Sequence, residues 1–254
     1  MNLIKTEGLS VGYARPLLPP LDLRLDTGDV VALLGSNGTG KSTILKTLSD
    51  ELKPIAGTVT ILGKQLEDYS RRQLAKTLSI VTTDRISAGG MRVREIVSLG
   101  RQPHTGWLGH LSRRDKEIVE KSMSDVGISF KADDFFACLS DGERQKVMIA
   151  RALAQEASII LLDEPFSFLD TASRIEILSL LKDIARGKNV GIIFSSHDVA
   201  QAVRMADSVW LICSDGQLIA DTPANLVRTN AIERMFKDRD VVFDPVQNDF
   251  ILRN

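Results

Sequence analysis

Three hydrophobic patterns divide the chain. Up to residue 13, apolar and polar positions alternate, as in a strand with one buried face, until Arg15-Pro16 and Pro19-Pro20 break the run. Leu21, Leu23 and Leu25 alternate with charged residues in the same way, and 58–63 reads as a strand closing in a turn. These half-exposed stretches predict an antiparallel β layer. The second pattern is the short, unbroken apolar run: Val30-Val31-Ala32-Leu33-Leu34, Ile159-Ile160-Leu161-Leu162, 190–194 and 209–213. A strand covered on both faces has no polar side, so such runs predict a buried parallel sheet. Leu78-Ser79-Ile80-Val81 is a further strand candidate. The third pattern is helical spacing, over 42–48, 93–99, 116–126, 143–154, 174–185 and 199–206.

The order of these elements predicts the architecture. Strands and helices alternate around a parallel α/β sheet. Residues 91–155 read as helices, and at about 60 residues the stretch exceeds an ordinary loop. We therefore expect one domain over 1–254. Its core is 1–90 and 156–220 with the β layer, 91–155 forms a helical subdomain insert, and 221–254 is a closing segment.

Composition narrows the partners. Lys plus Arg is 32 against 33 Asp plus Glu, a net charge of −1, so no basic excess points to nucleic acid. Arg71-Arg72 and Arg113-Arg114 read as solvated pairs. Cys138 and Cys213 lack metal-site spacing and read as reduced packing thiols. The start carries no signal-peptide pattern. No run of about 18 apolar residues predicts a membrane span, which leaves docking onto a membrane protein open.

The chemistry is concentrated at residues 35–42, Gly-Ser-Asn-Gly-Thr-Gly-Lys-Ser, which fit G-x-x-x-x-G-K-[ST] between a strand and a helix. Glycines let such a loop turn its backbone N–H groups toward a phosphate, and the helix start adds its positive dipole end. Lys41 would reach the β- and γ-phosphates of ATP, and the Ser42 hydroxyl would bind Mg²⁺. The apolar run ending in Asp163-Glu164-Pro165 supplies the complementary half of such a site. Asp163 would stand in the Mg²⁺ shell, and Glu164 would polarise the attacking water. No N-K-x-D motif supports a guanine nucleotide. Ser196-His197-Asp198 cannot act as a hydrolytic triad, because adjacent residues cannot orient one another as a triad does.

Leu139-Ser140-Asp141-Gly142-Glu143-Arg144-Gln145 resembles the LSGGQ signature of ATP-binding cassette (ABC) ATPases, whose fold is a P-loop, RecA-like α/β sheet. The family's other landmarks follow in order. The resemblance implies that Tyr13 stacks on adenine and that Gly35, Ser36, Asn37, Gly38, Thr39, Gly40, Lys41, Ser42 and Thr43 hold the phosphates. It implies that Ser140 and Gly142 contact the γ-phosphate, that Ser167-Phe168-Leu169-Asp170 is the D-loop, and that His197 is the γ-phosphate switch. Lys41, Glu164, Asp170 and His197 form the implied catalytic set. Asp141 stands where the family has Gly, and Glu143 where it has Gln. The family's Q-loop glutamine is missing; Thr83 occupies the best-aligned position near the metal, with Asp84 as its rival.

The stretch from Val93 to Pro103 fits V-x-E-x-V-x-x-G-R-x-P and resembles importer ATPases for iron-siderophore, haem and cobalamin uptake. Trp107-Leu108-Gly109, Leu111-Ser112, Thr222-Pro223 and Phe243-Asp244-Pro245 extend the likeness. The resemblance implies a head-to-tail dimer of two copies, integral membrane permease subunits and, indirectly, a substrate-binding protein. It implies a peripheral place on the cytoplasmic face of a bacterial inner membrane. An exporter ATPase shares the catalytic motifs but lacks the Gly100-Arg101 stretch. A soluble ABC protein acting on ribosomes or DNA is the other alternative, and one cassette with no heptad run speaks against it.

Overall fold

The computed structural model describes residues 1–82, 90–106, 109–236, 241–244 and 249–252. In chain order it begins with β1 (Asn2–Ser10), β2 (Arg24–Asp26), β3 (Val30–Leu34), α1 (Lys41–Leu48), β4 (Ala56–Ile61) and β5 (Lys64–Gln65). Next come α2 (Arg71–Thr77), β6 (Leu78–Val81), α3 (Val93–Ser98), α4 (Arg113–Asp125), α5 (Asp141–Ala154), β7 (Ile159–Leu162) and α6 (Thr171–Lys188). The chain closes with β8 (Gly191–Ser196), α7 (Val199–Met205), β9 (Ser208–Ile212), β10 (Leu218–Asp221), α8 (Pro223–Arg228), β11 (Val241–Asp244) and β12 (Asp249–Leu252). It divides into two compact units, Met1–Tyr69 with Ile184–Asn254, and Ser70–Asp183.

The first unit holds both kinds of strand. β1 pairs antiparallel with β2 and β4, and β4 with β5, which is the expected antiparallel layer. Of Leu21, Leu23 and Leu25, only the last lies in a strand, although all three are buried. Backbone bonds still tie the stretch to β1, Leu9 and Leu21 exchanging N–H and carbonyl at 3.0 and 2.8 Å, and the Thr6 hydroxyl adds to them, donating to the Leu21 carbonyl at 2.9 Å and accepting from Leu23 N–H at 2.8 Å. β3 runs parallel to β8 on one side and to β9 on the other, and every residue of β3 and β8 is buried. Their register places Leu34 beside Ser196, so the loops leaving the two strands start side by side. At the far end of the chain, Phe243 stacks edge-on against Phe250 within the β11–β12 hairpin.

The second unit holds the parallel pair β6–β7 and the helices α3, α4 and α5, which pack around Ile96, Val97, Val119, Met123, Val147 and Ile149. Helix α3 starts at Val93 as the spacing predicts, whereas α4 and α5 begin earlier, because their caps precede the first apolar residue. Ser112 and Asp115 close a capping box before α4, and Ser140 and Glu143 close one before α5. The spacing also misses α2, a seven-residue helix started by Ser70 and Gln73 with Leu74 alone buried, too short to show a period. Arg72 is not a merely solvated cation. Its guanidinium donates to the carbonyls of Pro103 and Thr105, each at 3.0 Å. Cys213 is buried as expected, whereas Cys138 sits exposed in a 3₁₀ turn and packs against no core.

The C-terminal end of α5 is closed from outside the helix. A β-carbon on Gly100 would lie 2.2 Å from the Arg151 carbonyl oxygen. This close approach, and not a left-handed helix cap, is what requires glycine. The approach delivers Arg101, whose Nη1 donates to the Ala154 carbonyl at 2.7 Å and to Glu156 at 2.8 Å, while its Nε donates to Asp115 at 2.9 Å. His104 Nε2 lies 2.8 Å from the Gln155 carbonyl. A guanidinium here meets the negative end of the helix dipole and an otherwise unpaired last-turn carbonyl.

Hydrogen bonds from Ser112, and then Arg101, hold the Asp115 carboxyl at about 2, well below its ordinary value, against the opposing effect of burial. A depressed carboxylate stabilises the fold above its unfolded pKa, and that contribution is lost as pH falls toward 2. Asp115→Asn should therefore cost about 2 kcal/mol at pH 7. The gap to wild type should shrink by about half at pH 3. Urea unfolding at the two pH values tests this; an equal gap at both would show that the charge plays no part.

Candidate nucleotide site

In the first unit, β3 ends at Leu34, and the loop from Gly35 to Gly40 leads straight into α1. Gly38 and Gly40 have φ of 81° and 105°, a left-handed region where other residues are strained. Gly40 stands at the N-cap of α1, so no side chain caps the helix, and its first turn carries no acidic residue. Backbone N–H groups of that turn have no partner within the helix and favour an anion. Lys41 is 6% exposed, and its ammonium donates to the carbonyls of Gly35 (2.8 Å) and Ser36 (3.2 Å). Thr39 braces the loop through its hydroxyl to the Ser36 carbonyl at 2.8 Å. Asn37, Gly38 and Ser42 are exposed, whereas Thr43 is buried in the helix.

Two other predicted residues belong to the same unit, His197 beside this loop and Tyr13 in a bend whose later residue Leu17 approaches it. Gly35 N–H donates to the Ser196 carbonyl at 3.3 Å, so exposed His197 leaves the sheet next to the loop's first residue. Ser196 Oγ accepts from Asp198 N–H at 3.0 Å, and Asp198 caps α7. Tyr13 is 69% exposed in the bend after β1, and that bend returns to Leu17, whose side chain is the nearest group to a β-carbon placed on Gly40.

In the second unit, all four residues of β7 are buried, and Asp163 N–H donates to the Val81 carbonyl at 2.8 Å. Asp163 and Glu164 are therefore presented at the strand end, each half-buried. Glu164 has φ of 46°, unusual for a residue with a β-carbon. Strain of this kind persists only where the surroundings impose it and is concentrated at functional sites. The loop then runs to Asp170, which accepts from Ser173 N–H and Oγ, both at 2.9 Å, and so caps α6. These bonds from Ser173 lower the Asp170 carboxyl below its usual range.

Ser140 is the exposed N-cap of α5. Its N–H and Oγ donate to Glu143 at 2.9 Å and 3.0 Å, while Glu143 N–H donates back to Ser140 Oγ at 3.3 Å. The Glu143 carboxylate, lowered below its ordinary value by the Ser140 backbone, completes a capping box, a task that glutamine also performs, as Gln73 does before α2. Asp141 sits in the same turn and pairs with Arg144 at 3.5 Å. A β-carbon on Gly142 would come within 3.1 Å of Ser173 Oγ. Gly142 and Asp170 are brought together through Ser173, a contact that the sequence does not foreshadow. Thr83 and Asp84, with Trp107 and Leu108, lie outside the described residues.

The sequence profile of the family described as ABC transporter matches residues 18–167, more than half of the chain. The chain belongs to the ABC transporter family. Its fold is the P-loop α/β fold of ABC ATPases, and like them it is an ATP-binding, ATP-hydrolysing subunit of a transporter. It is 36% identical over 247 residues to the achromobactin transport ATP-binding protein of Dickeya dadantii, covering 96% of this chain and 92% of that one. It is 34% identical over 250 residues to the iron(3+)-hydroxamate import ATP-binding protein of Bacillus subtilis, covering 98% and 93%. Among solved structures, a metal-chelate type ABC transporter in an inward-facing conformation matches with a TM-score of 0.83 at 28% identity, covering 99% of this chain and 96% of that one.

Each unit offers oxygen donors of the type that Mg²⁺ takes. Ser42 offers an exposed hydroxyl and Asp163 a carboxylate, both hard oxygen donors. No cluster of three or more His, Cys, Asp or Glu able to hold a metal occurs among the described residues. Mg²⁺ commonly takes one or two protein ligands and completes its shell with phosphate oxygens and water. No helix of the described residues is long and apolar enough to cross a membrane. The sequence singled out Gly100 and Arg101 as an importer likeness without a physical task; closing the end of α5 is that task. The visible signal was a glycine followed by an arginine at the end of a helical period.

Proposed function

We propose that the chain powers an importer of an iron chelate, haem or cobalamin from the cytoplasmic face of the inner membrane. The observation carrying this reading is the near full-length match, in both directions, to relatives named for achromobactin transport and iron(3+)-hydroxamate import. In the proposed cycle, Lys41 exchanges the neutral carbonyls of Gly35 and Ser36 for phosphate oxygens, an exchange favoured by charge. Gly35 to Thr43 hold the triphosphate and Tyr13 the adenine. Ser42 and Asp163 hold Mg²⁺, with Thr83 or, as its rival, Asp84 beside it. Mg²⁺, when bound, neutralises charge on the β- and γ-phosphates. Glu164 orients the attacking water, His197 reads the γ-phosphate, and Asp170 supports the site. Ser140 and Gly142 complete the site of a second, head-to-tail copy. Permease subunits, served by a substrate-binding protein, convert closure and reopening into transport.

The test is uptake by the chain reconstituted with its permease and binding protein. ATP should drive accumulation of one substrate from a panel of ferric siderophores (hydroxamate, catecholate and carboxylate), haem and cobalamin. An assembly that hydrolyses ATP but accumulates none of them would refute the importer reading.

A further inference from the structure

Helix α5 is held at both ends by unlike devices. Its first turn, with Ser140 and Gly142, is the part that the proposed function assigns to the γ-phosphate of a second copy. Its last turn is gripped by Arg101 and His104. The helix has 14 residues, so about 21 Å separates the two ends. Arg101 touches nothing in the proposed site. It nonetheless makes three hydrogen bonds from a side chain only 4% exposed, to Ala154 and Glu156 at the helix end and to Asp115 on α4.

We propose that Arg101 is a positioning residue: with Gly100 and His104 it fixes the C-terminal end of α5 and thereby aims Ser140 and Gly142. The proposal rests on the reading of those two residues as contacts to a second copy. A helix moves as a rod, so a tilt of about 5° about a loosened C-terminal end carries the first turn about 2 Å. A misplacement of about 1 Å in a reacting constellation can cost as much as a hundredfold in rate. Glycine at position 100 allows the backbone to approach α5 closely enough for the grip. Arginine is suited to position 101 because its planar fork can meet a carbonyl and two carboxylates at once; a lysine ammonium is a point charge with one stem. The rival explanation is that Arg101 only satisfies a buried carbonyl and stabilises the unit.

The two explanations separate by experiment on the full chain. Arg101→Lys, Gly100→Ala and His104→Ala are assayed for unfolding midpoint, ATP affinity by titration, and kcat well below the midpoint. Positioning predicts ATP affinity within about twofold of wild type, because the phosphate loop is untouched. It predicts kcat lowered about tenfold in Arg101→Lys and Gly100→Ala, and about two- to threefold in His104→Ala, which loses one neutral hydrogen bond. Should Arg101→Lys fail to fold, the other two variants carry the test. A lowered midpoint with wild-type kcat would overturn the proposal, as would ATP affinity falling in step with kcat. Ser140→Arg is the control for the underlying reading. If it still forms ATP-dependent dimers, the in-trans reading falls and the proposal with it; if it does not and the kcat values are unchanged, the proposal falls alone.

Discussion

Glu164→Gln should bind ATP as wild type does and lose hydrolysis by about 10²–10⁴-fold, the usual contribution of a positioned acid–base group. Glu164 follows Asp163 directly at the end of the fully buried strand β7 and adopts φ of 46°. Glutamine keeps the shape and much of the hydrogen bonding but cannot accept a proton, so the substitution removes the chemistry and leaves the geometry. The stability of the fold should change little, because the backbone demand falls equally on both side chains. The variant should also collect as an ATP-bound dimer, since in the proposed cycle binding closes the pair and hydrolysis reopens it. Sizing chromatography with ATP and a phosphate-release assay read the two effects. Near-normal turnover would assign the water to another residue.

Lys41→Ala should weaken ATP binding about 10- to 100-fold, the equivalent of one or two charge-assisted hydrogen bonds. The ammonium is buried and already organised on the carbonyls of Gly35 and Ser36, within reach of whatever the loop encloses. Its loss leaves a loop still shaped by Gly38, Gly40 and the Thr39 bond, so the defect should be confined to the phosphates. Titration with ATP and with adenosine separates the cases: ATP affinity falls and adenosine affinity does not. Unchanged ATP affinity would count against the phosphate-loop assignment.

Much of this was legible in the chain because it is local. A phosphate loop needs glycines, a lysine and a hydroxyl within eight consecutive positions, and Asp163-Glu164 need only an apolar strand before them. The buried strands β3, β7 and β8 announced themselves as unbroken apolar runs, since a doubly covered strand has no polar face to encode. Helix α2 was not legible, because seven residues with one buried position carry no period. The starts of α4 and α5 were misread by three and two residues, because caps lie outside the apolar rhythm that marks a helix.

The sequence by itself determined the family, the ATP chemistry and the order of the motifs, because each motif is a short run whose residue types are dictated by phosphate, water and backbone geometry. Tertiary structure alone decided what those residues touch. It folded Lys41 onto its own loop, brought His197 beside Gly35 through the parallel register of β3 and β8, and set Gly142 against the Ser173 that Asp170 caps. It also turned Gly100 and Arg101 from an importer likeness into the clamp on α5. Apart from the Lys41 bonds, which stay within six positions, such contacts join residues tens of positions apart, and their distances follow from packing, which no local pattern records.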